Sequence, residues 1–196
     1  MGGKGMAFPV FLNLEKKKCL IVGGGPVAFR KAKTLRQFCP QLSIVAPKFC
    51  PELLDCLELQ GALVSRVYQE MDLDGMAFVI AATDDKELNQ QIVLACNQRR
   101  ILVNAATICE EGDTVAFPSI IRQGLVTIGI HSGGNPALSK MLRQRITVVL
   151  PKDLAEKSKQ SKEFRELQKQ TKTGAALKAV MTEEMKQWEE GLGGSK

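Results

Sequence analysis

Between Lys18 and Thr107 the chain alternates short, β-branched apolar runs with longer amphipathic stretches. Cys19-Leu20-Ile21-Val22, Leu42-Ser43-Ile44-Val45, residues 63–67, Phe78-Val79-Ile80-Ala81 and Ile101-Leu102-Val103 have the length and composition of buried strands. Residues 26–38, 51–60 and 85–99 lie between them with helical length and periodicity. Strands that alternate with helices are joined by right-handed crossovers, so the pattern predicts a parallel sheet in a doubly wound α/β domain over residues 1–114.

After Thr107 the pattern changes. Residues 115–121 and 125–130 flank Arg122-Gln123-Gly124 and predict an antiparallel hairpin. Ser132-Gly133-Gly134-Asn135-Pro136 punctuates the chain before a helix from Ala137 to Val149. This 115–150 segment has little core of its own and should pack on other protein surface. Pro151 closes it. The remaining 151–196 segment alternates charge signs and predicts helices over 153–170 and 175–190, with Gly174 between them and a frayed end at 191–196.

Composition narrows the class without choosing a function. The 196 residues are 44% hydrophobic and 24% charged, which is globular, and no apolar run reaches the roughly 18–20 residues a bilayer helix needs. The opening Met1-Gly-Gly-Lys-Gly-Met6 leads into Phe8-Pro9-Val10-Phe11 without a signal-peptide pattern, so a soluble, cytoplasmic protein with no membrane partner is expected. Six cysteines occur without a Cys-x-x-Cys pair or a neighbouring histidine. Reduced core thiols are therefore expected, and no metal site. The net charge of +6 divides into +4 over residues 1–150 and +2 over 151–196. With positive charge so dispersed, a small polyanion is as good a partner as DNA, and nucleic acid is not the expected partner.

The most informative stretch is Gly23-Gly24-Gly25-Pro26-Val27-Ala28, which matches G-x-G-x-x-A between a predicted strand and a predicted helix. In a Rossmann-type domain Gly23 makes the tight turn, Gly25 admits a pyrophosphate against the backbone, and Ala28 allows close helix packing. The second strand ends Val45-Ala46-Pro47-Lys48, without the acidic residue that usually accepts from the ribose of NAD. NAD and NADP therefore both stay open, and Lys48 would tolerate a 2′-phosphate. Ala81-Ala82-Thr83-Asp84-Asp85 ends the fourth strand where the cofactor's other half passes; Asp84 and Asp85 suit a helix cap and first turn better than a catalytic pair.

Phe8-Pro9-Val10-Phe11-Leu12-Asn13-Leu14, the glycine turn with Arg30-Lys31, Val45-Ala46-Pro47, Ala81 to Asp85, Leu88-Asn89, Val103-Asn104, Phe117-Pro118-Ser119 and Ser132-Gly133-Gly134-Asn135-Pro136 run in order over about residues 6–150. Together they resemble the precorrin-2 dehydrogenase / sirohydrochlorin ferrochelatase family of siroheme synthesis. The resemblance implies a homodimer: an NAD-binding domain, a central dimerisation region over 115–150 and a helical C-terminal part, with a tetrapyrrole between them. It implies NAD-dependent removal of a hydride and a proton from precorrin-2 to give sirohydrochlorin, with iron insertion as a further activity of some members. The cofactor residues it implies are Gly23, Gly24, Gly25, Pro26, Val27, Ala46, Pro47, Thr83 and Asn104, and the substrate residues Ser132, Gly133 and Gly134. Arg122, Lys140, Arg143 and Arg145 would suit the polycarboxylate substrate, or are ordinary surface charge.

The chain departs from the family at one chemically important place. The family's Asn-Val-x-Asp, whose aspartate is its expected acid/base group, reads Asn104-Ala105-Ala106-Thr107. An unactivated hydroxyl at Thr107 is a poor base. The loop that follows is one residue longer and holds Glu110, Glu111 and Asp113, of which Asp113 is the leading candidate to take over the role. His131, the sole histidine, abuts Ser132 and is either structural or a proton acceptor. A ferrochelatase, or a tetrapyrrole- or iron-binding or regulatory homologue without dehydrogenase chemistry, is the alternative for which Thr107 is the evidence.

Overall fold

The computed structural model describes residues 7–107, 112 and 114–193, with side chains through Trp188. Two compact units divide the chain at Phe117/Pro118.

The first unit is built on five parallel strands, β1 (Lys18–Val22), β2 (Gln41–Ala46), β3 (Leu63–Ser65), β4 (Met76–Ala81) and β5 (Leu102–Ala105), in the order β3-β2-β1-β4-β5. Alternation along β1 assigns its two faces. Cys19 and Ile21 join Ala28, Ala32 and Leu35 of helix α1 (Pro26–Leu35), with Ile44, Phe78 and Ile80, in one core cluster. Leu20 and Val22 join Ile92, Val93 and Cys96 of α3 (Lys86–Gln98), with Val79 and Val103, in the other. Both faces are dry, which is why these strands read as continuous apolar runs.

The predicted helix over 51–60 is only one turn, α2 (Pro51–Leu54), followed by a 3₁₀ turn at Gln60–Ala62. Leu53 and Leu59 are both fully buried in the same cluster. Six residues apart on a continuous helix they would point about 120° away from each other, so the chain breaks to bring both inward. Strand β3 also stops at Ser65, because Arg66 turns aside to pair with Asp72. Among the described residues the cysteines are free, with Cys19, Cys39 and Cys96 buried, and no cluster of His, Cys, Asp or Glu is grouped to hold a metal. Among the described residues no helix is long and apolar enough to cross a membrane.

The second unit opens with the antiparallel hairpin β6 (Ser119–Gln123) and β7 (Val126–Ile130), whose register pairs Gln123 with Val126 across a two-residue turn. Arg122 and Gln123, expected in the connection, belong to β6, and residues 115–118 lie outside the hairpin. Helix α4 (Pro136–Val149) follows, with Asn135 as its cap, then α5 (Leu154–Lys169) and α6 (Gly174–Gly193). The core of this unit is thin. Ile121 and Ile130 are its buried large apolar residues among those described, while Val148 and Val149 of α4 stand 84% and 77% exposed.

Candidate functional site

The strand order reverses at β1, and the chain leaves β1 through the glycine turn at the carboxyl edge of the sheet. In open α/β sheets this switch point is where ligands bind. Gly23 takes φ +133°, and its N–H donates to the Val45 carbonyl at 2.9 Å. A Cβ there would stand 2.2 Å from the Ala82 carbonyl oxygen, so β1 can exit between β2 and β4 only as glycine. Gly24 is held as closely on the other side. Its carbonyl accepts from the Cys50 N–H at 2.7 Å, and a Cβ would lie 1.9 Å from the Lys48 carbonyl oxygen. Gly25 differs from both, because a Cβ there meets nothing within 4 Å. It caps α1 without a side-chain hydrogen bond, and Pro26 at the first helical position has no N–H to satisfy. The start of α1 is therefore an open cradle bounded by two closed glycines, with its N-terminal dipole directed outward.

Of the β2-exit residues, Ala46 is buried beneath Gly24, whereas Pro47 and Lys48 are exposed. At the β4 exit, the Thr83 N–H donates to Asn89 Oδ1 at 3.1 Å and the Asn89 Nδ2 donates back to the Thr83 carbonyl at 2.9 Å. The Thr83 hydroxyl has one proton to share between Asn89 Oδ1, at 2.8 Å, and the Asp85 carbonyl, at 2.9 Å. Asp85 is the N-cap of α3, its Oδ1 accepting from the Leu88 N–H at 3.0 Å. Asn89 also reaches Thr107, whose hydroxyl oxygen accepts from Nδ2 at 3.3 Å. The Thr107 hydroxyl thus belongs to a structural tie between the β4 and β5 exits.

Asn104, 6% exposed on β5, donates from Nδ2 to the Val115 carbonyl at 2.7 Å and accepts on Oδ1 from the Lys31 ammonium. Lys31 also lies 5.2 Å from the centroid of the Phe117 ring. Burial pushes its pKa down to about 8, with the neighbouring charge of Arg30 adding to the effect. Asn89 and Lys31 are the two residues for which sequence reasoning gave no role of their own. Asn89 had a visible signal: it is a polar residue in the buried stripe Asn89, Ile92, Val93, Cys96. Lys31 stood in the sequence only among the residues that carry the family resemblance, because its partners arrive from β5 and from the segment beyond it.

Asp113, Glu110 and Glu111 lie outside the described residues. Gly112 is described, and a Cβ on it would stand 2.9 Å from Val93 Cγ1 and 2.7 Å from Asn97 Oδ1, so Gly112 itself lies against α3.

In the second unit, the Ser132 hydroxyl contacts the Ser139 hydroxyl at 2.6 Å and donates to the Asn135 carbonyl. Asn135 Oδ1 accepts from the Leu138 N–H at 3.1 Å, so α4 is capped by its own chain. Gly133 and Gly134 take φ +60° and +92° in open space. His131, Lys140, Arg143 and Arg145 are exposed, as is Arg122 on β6.

A family model described as "Putative NAD(P)-binding" matches residues 10–119. A siroheme synthase of Thioalkalivibrio sulfidiphilus is 38% identical over 149 residues, covering 74% of this chain and 30% of that protein. A siroheme synthase of Nitrosococcus oceani is 32% identical over 190 residues, covering 95% of this chain and 39% of that protein. The chain therefore spans about a third of the length of the curated relatives it matches. Among solved structures, SirC, a precorrin-2 dehydrogenase, superposes with a TM-score of 0.73 at 24% identity, covering 90% of this chain and 88% of that one. This last likeness shows a shared fold.

Proposed function

Because the chain belongs to the precorrin-2 dehydrogenase and siroheme synthase family, with an NAD(P)-binding domain over residues 10–119, we propose that it oxidises precorrin-2 to sirohydrochlorin with NAD as hydride acceptor. The observation that carries the reading is the cradle at Gly25, left open at the switch point between two glycines that are closed. A pyrophosphate suits that cradle, since the first turn of α1 offers it N–H groups and a favourable dipole. In this reading Gly23 and Gly24 hold the turn, and Gly25, Pro26 and Val27 face the phosphates. Pro47 and Lys48 border the adenine ribose, while Thr83 and Asn104 border the nicotinamide half. NAD is preferred over NADP as the simpler assignment; Lys48 is the residue through which a 2′-phosphate would be accommodated.

When bound, the nicotinamide takes the hydride, and the protein supplies position, a water-poor surface and a proton acceptor. We assign the acceptor to Asp113, the residue after Gly112 in the sequence, with His131 as the other candidate. The substrate's carboxylates would meet the Ser132-Gly133-Gly134 turn and the basic residues of α4. Two copies would associate through residues 115–150, which explains why Val148 and Val149 face outward. The reaction would take place in the cytoplasm.

A second reading follows from the Thr107 hydroxyl. It contacts Asn89 and offers no carboxylate. A chelatase, or a tetrapyrrole-binding homologue without dehydrogenase activity, would need no base there. Anaerobic turnover of freshly made precorrin-2, followed by absorbance, decides between them. NAD-dependent appearance of sirohydrochlorin supports the dehydrogenase, and binding of precorrin-2 without any NAD-dependent conversion leaves the second reading.

A further inference from the structure

Lys31 is a partly buried cation whose partners among the described residues are neutral. It lies on the sheet-facing side of α1 beside the buried Ala28, Ala32 and Leu35, and its ammonium is held by the Asn104 carboxamide oxygen and the face of the Phe117 ring. Among the described residues no carboxylate pairs with it. Holding a partly buried charge against neutral partners costs desolvation free energy.

Its position indicates the use. Helical side chains lean back toward the helix N-terminus, so the Lys31 stem runs toward the glycine-turn end of α1. Asn104, which pairs with Ile80 across β4 and β5, ties the ammonium to the carboxyl edge of those two strands. In a sheet of this order the exit of β2 borders the adenine ribose, so the β4 and β5 exits fall to the other half of the dinucleotide.

We propose that Lys31 places a fixed positive charge beside the nicotinamide half of the bound cofactor and thereby favours its reduced form. The inference rests on the NAD(P) reading above. The physical reason is charge balance. The oxidised ring carries one positive charge and the ring that has accepted a hydride carries none, so a neighbouring cation penalises the first and spares the second. Stabilising reduced over oxidised cofactor in this way makes the bound dinucleotide a stronger hydride acceptor. The effect of a unit charge acting across several ångströms of protein is on the order of tenfold in the affinity ratio.

The test is equilibrium binding of NAD⁺ and of NADH to the full chain at neutral pH, without substrate or turnover. The parent should bind NADH more tightly than NAD⁺. In Lys31→Gln, which keeps a donor to Asn104 and removes the charge, that preference should shrink about tenfold, and Lys31→Arg should retain it. Lys31→Met, which removes both charge and donor, should behave like Lys31→Gln and serves in its place if the glutamine variant does not fold by circular dichroism. A preference unmoved in whichever charge-free variant folds overturns the role of Lys31 while leaving the cofactor assignment standing. Failure of the parent to bind either dinucleotide overturns both.

Discussion

Asn89 and Thr83 exchange hydrogen bonds in both directions, N–H to Oδ1 at 3.1 Å and Nδ2 to carbonyl at 2.9 Å, so a fully buried side chain in α3 completes the backbone pairing that β4 loses as it leaves the sheet. A carboxamide is the side chain that can donate and accept at once in this manner. Its second donor contact, to Thr107, ties the β5 exit to the same point. The β4 and β5 exits are therefore tied to one another through Asn89.

Asn89→Leu should cost about 2–3 kcal/mol, because it leaves the Thr83 N–H and carbonyl buried without partners in a space of similar volume. Urea unfolding measures this. NAD affinity should weaken as well, since the β4 exit loses its support. A variant as stable as the parent would mean that solvent reaches Thr83.

The three glycines should respond differently to the same change. Gly24→Ala forces a methyl group to 1.9 Å from the Lys48 carbonyl oxygen and should destabilise the fold strongly, as should Gly23→Ala. Gly25→Ala meets no protein atom and should leave the melting temperature within a few degrees. Gly25→Asp should fold but bind NAD poorly, because it places bulk and negative charge where the pyrophosphate would lie. Calorimetry on each folded variant gives the comparison, and equal NAD affinity in Gly25→Asp and parent would remove the cofactor assignment.

Lys31 makes stability depend on pH with a definite sign. Its folded pKa of about 8 lies below the ordinary lysine value of 10.5, so between these values the unfolded chain holds more protons than the folded one. Stability contributed by Lys31 is then present above about pH 10.5 and lost as pH falls toward 8. Buried Cys96, raised to about 11, and Tyr68, raised to about 12, act in the opposite direction at higher pH. The difference in unfolding free energy between parent and Lys31→Met isolates the lysine. That difference should shift in the parent's favour from pH 8 to pH 10; a flat difference would show that the ammonium is solvated.

The proton acceptor can be located by a pair of substitutions. If Asp113 serves, Asp113→Asn should lower precorrin-2 turnover by roughly a hundredfold or more and leave NAD affinity intact. If the acid/base group has been lost, Asp113→Asn should change little and Thr107→Asp should raise turnover. The second variant exchanges one hydrogen-bond acceptor for another beside Asn89 and should fold.

If residues 115–150 join two copies, light scattering at micromolar concentration should give twice the 21.5 kDa chain mass. Val149→Glu, which puts a charge on the exposed end of α4, should shift the protein toward monomer. A monomeric parent would remove the dimer.

The hydrophobic pattern by itself determined the parallel sheet, both of its packed faces, the glycine turn and the order of the later helices. Each depends on periodicity or on a backbone requirement confined to a few neighbouring residues. It left undecided what depends on residues far apart in the chain. Leu53 and Leu59 look helical until the sheet requires both on one side, and the strand expected over 63–67 ends early because Arg66 turns to Asp72. The same limit applies at the candidate site. Gly23, Gly24 and Gly25 look alike in sequence, and only the approach of Ala82 and Lys48 closes the first two and leaves the third open. Asn89 and Lys31 acquire their roles from Thr83, Thr107, Asn104 and Phe117, up to 86 positions away in the case of Lys31 and Phe117. A lone polar residue on an apolar helix face shows in sequence that something must satisfy it, but only the folded chain brings in the partner, because hydrogen bonds and unpaired charges are settled by distances in space.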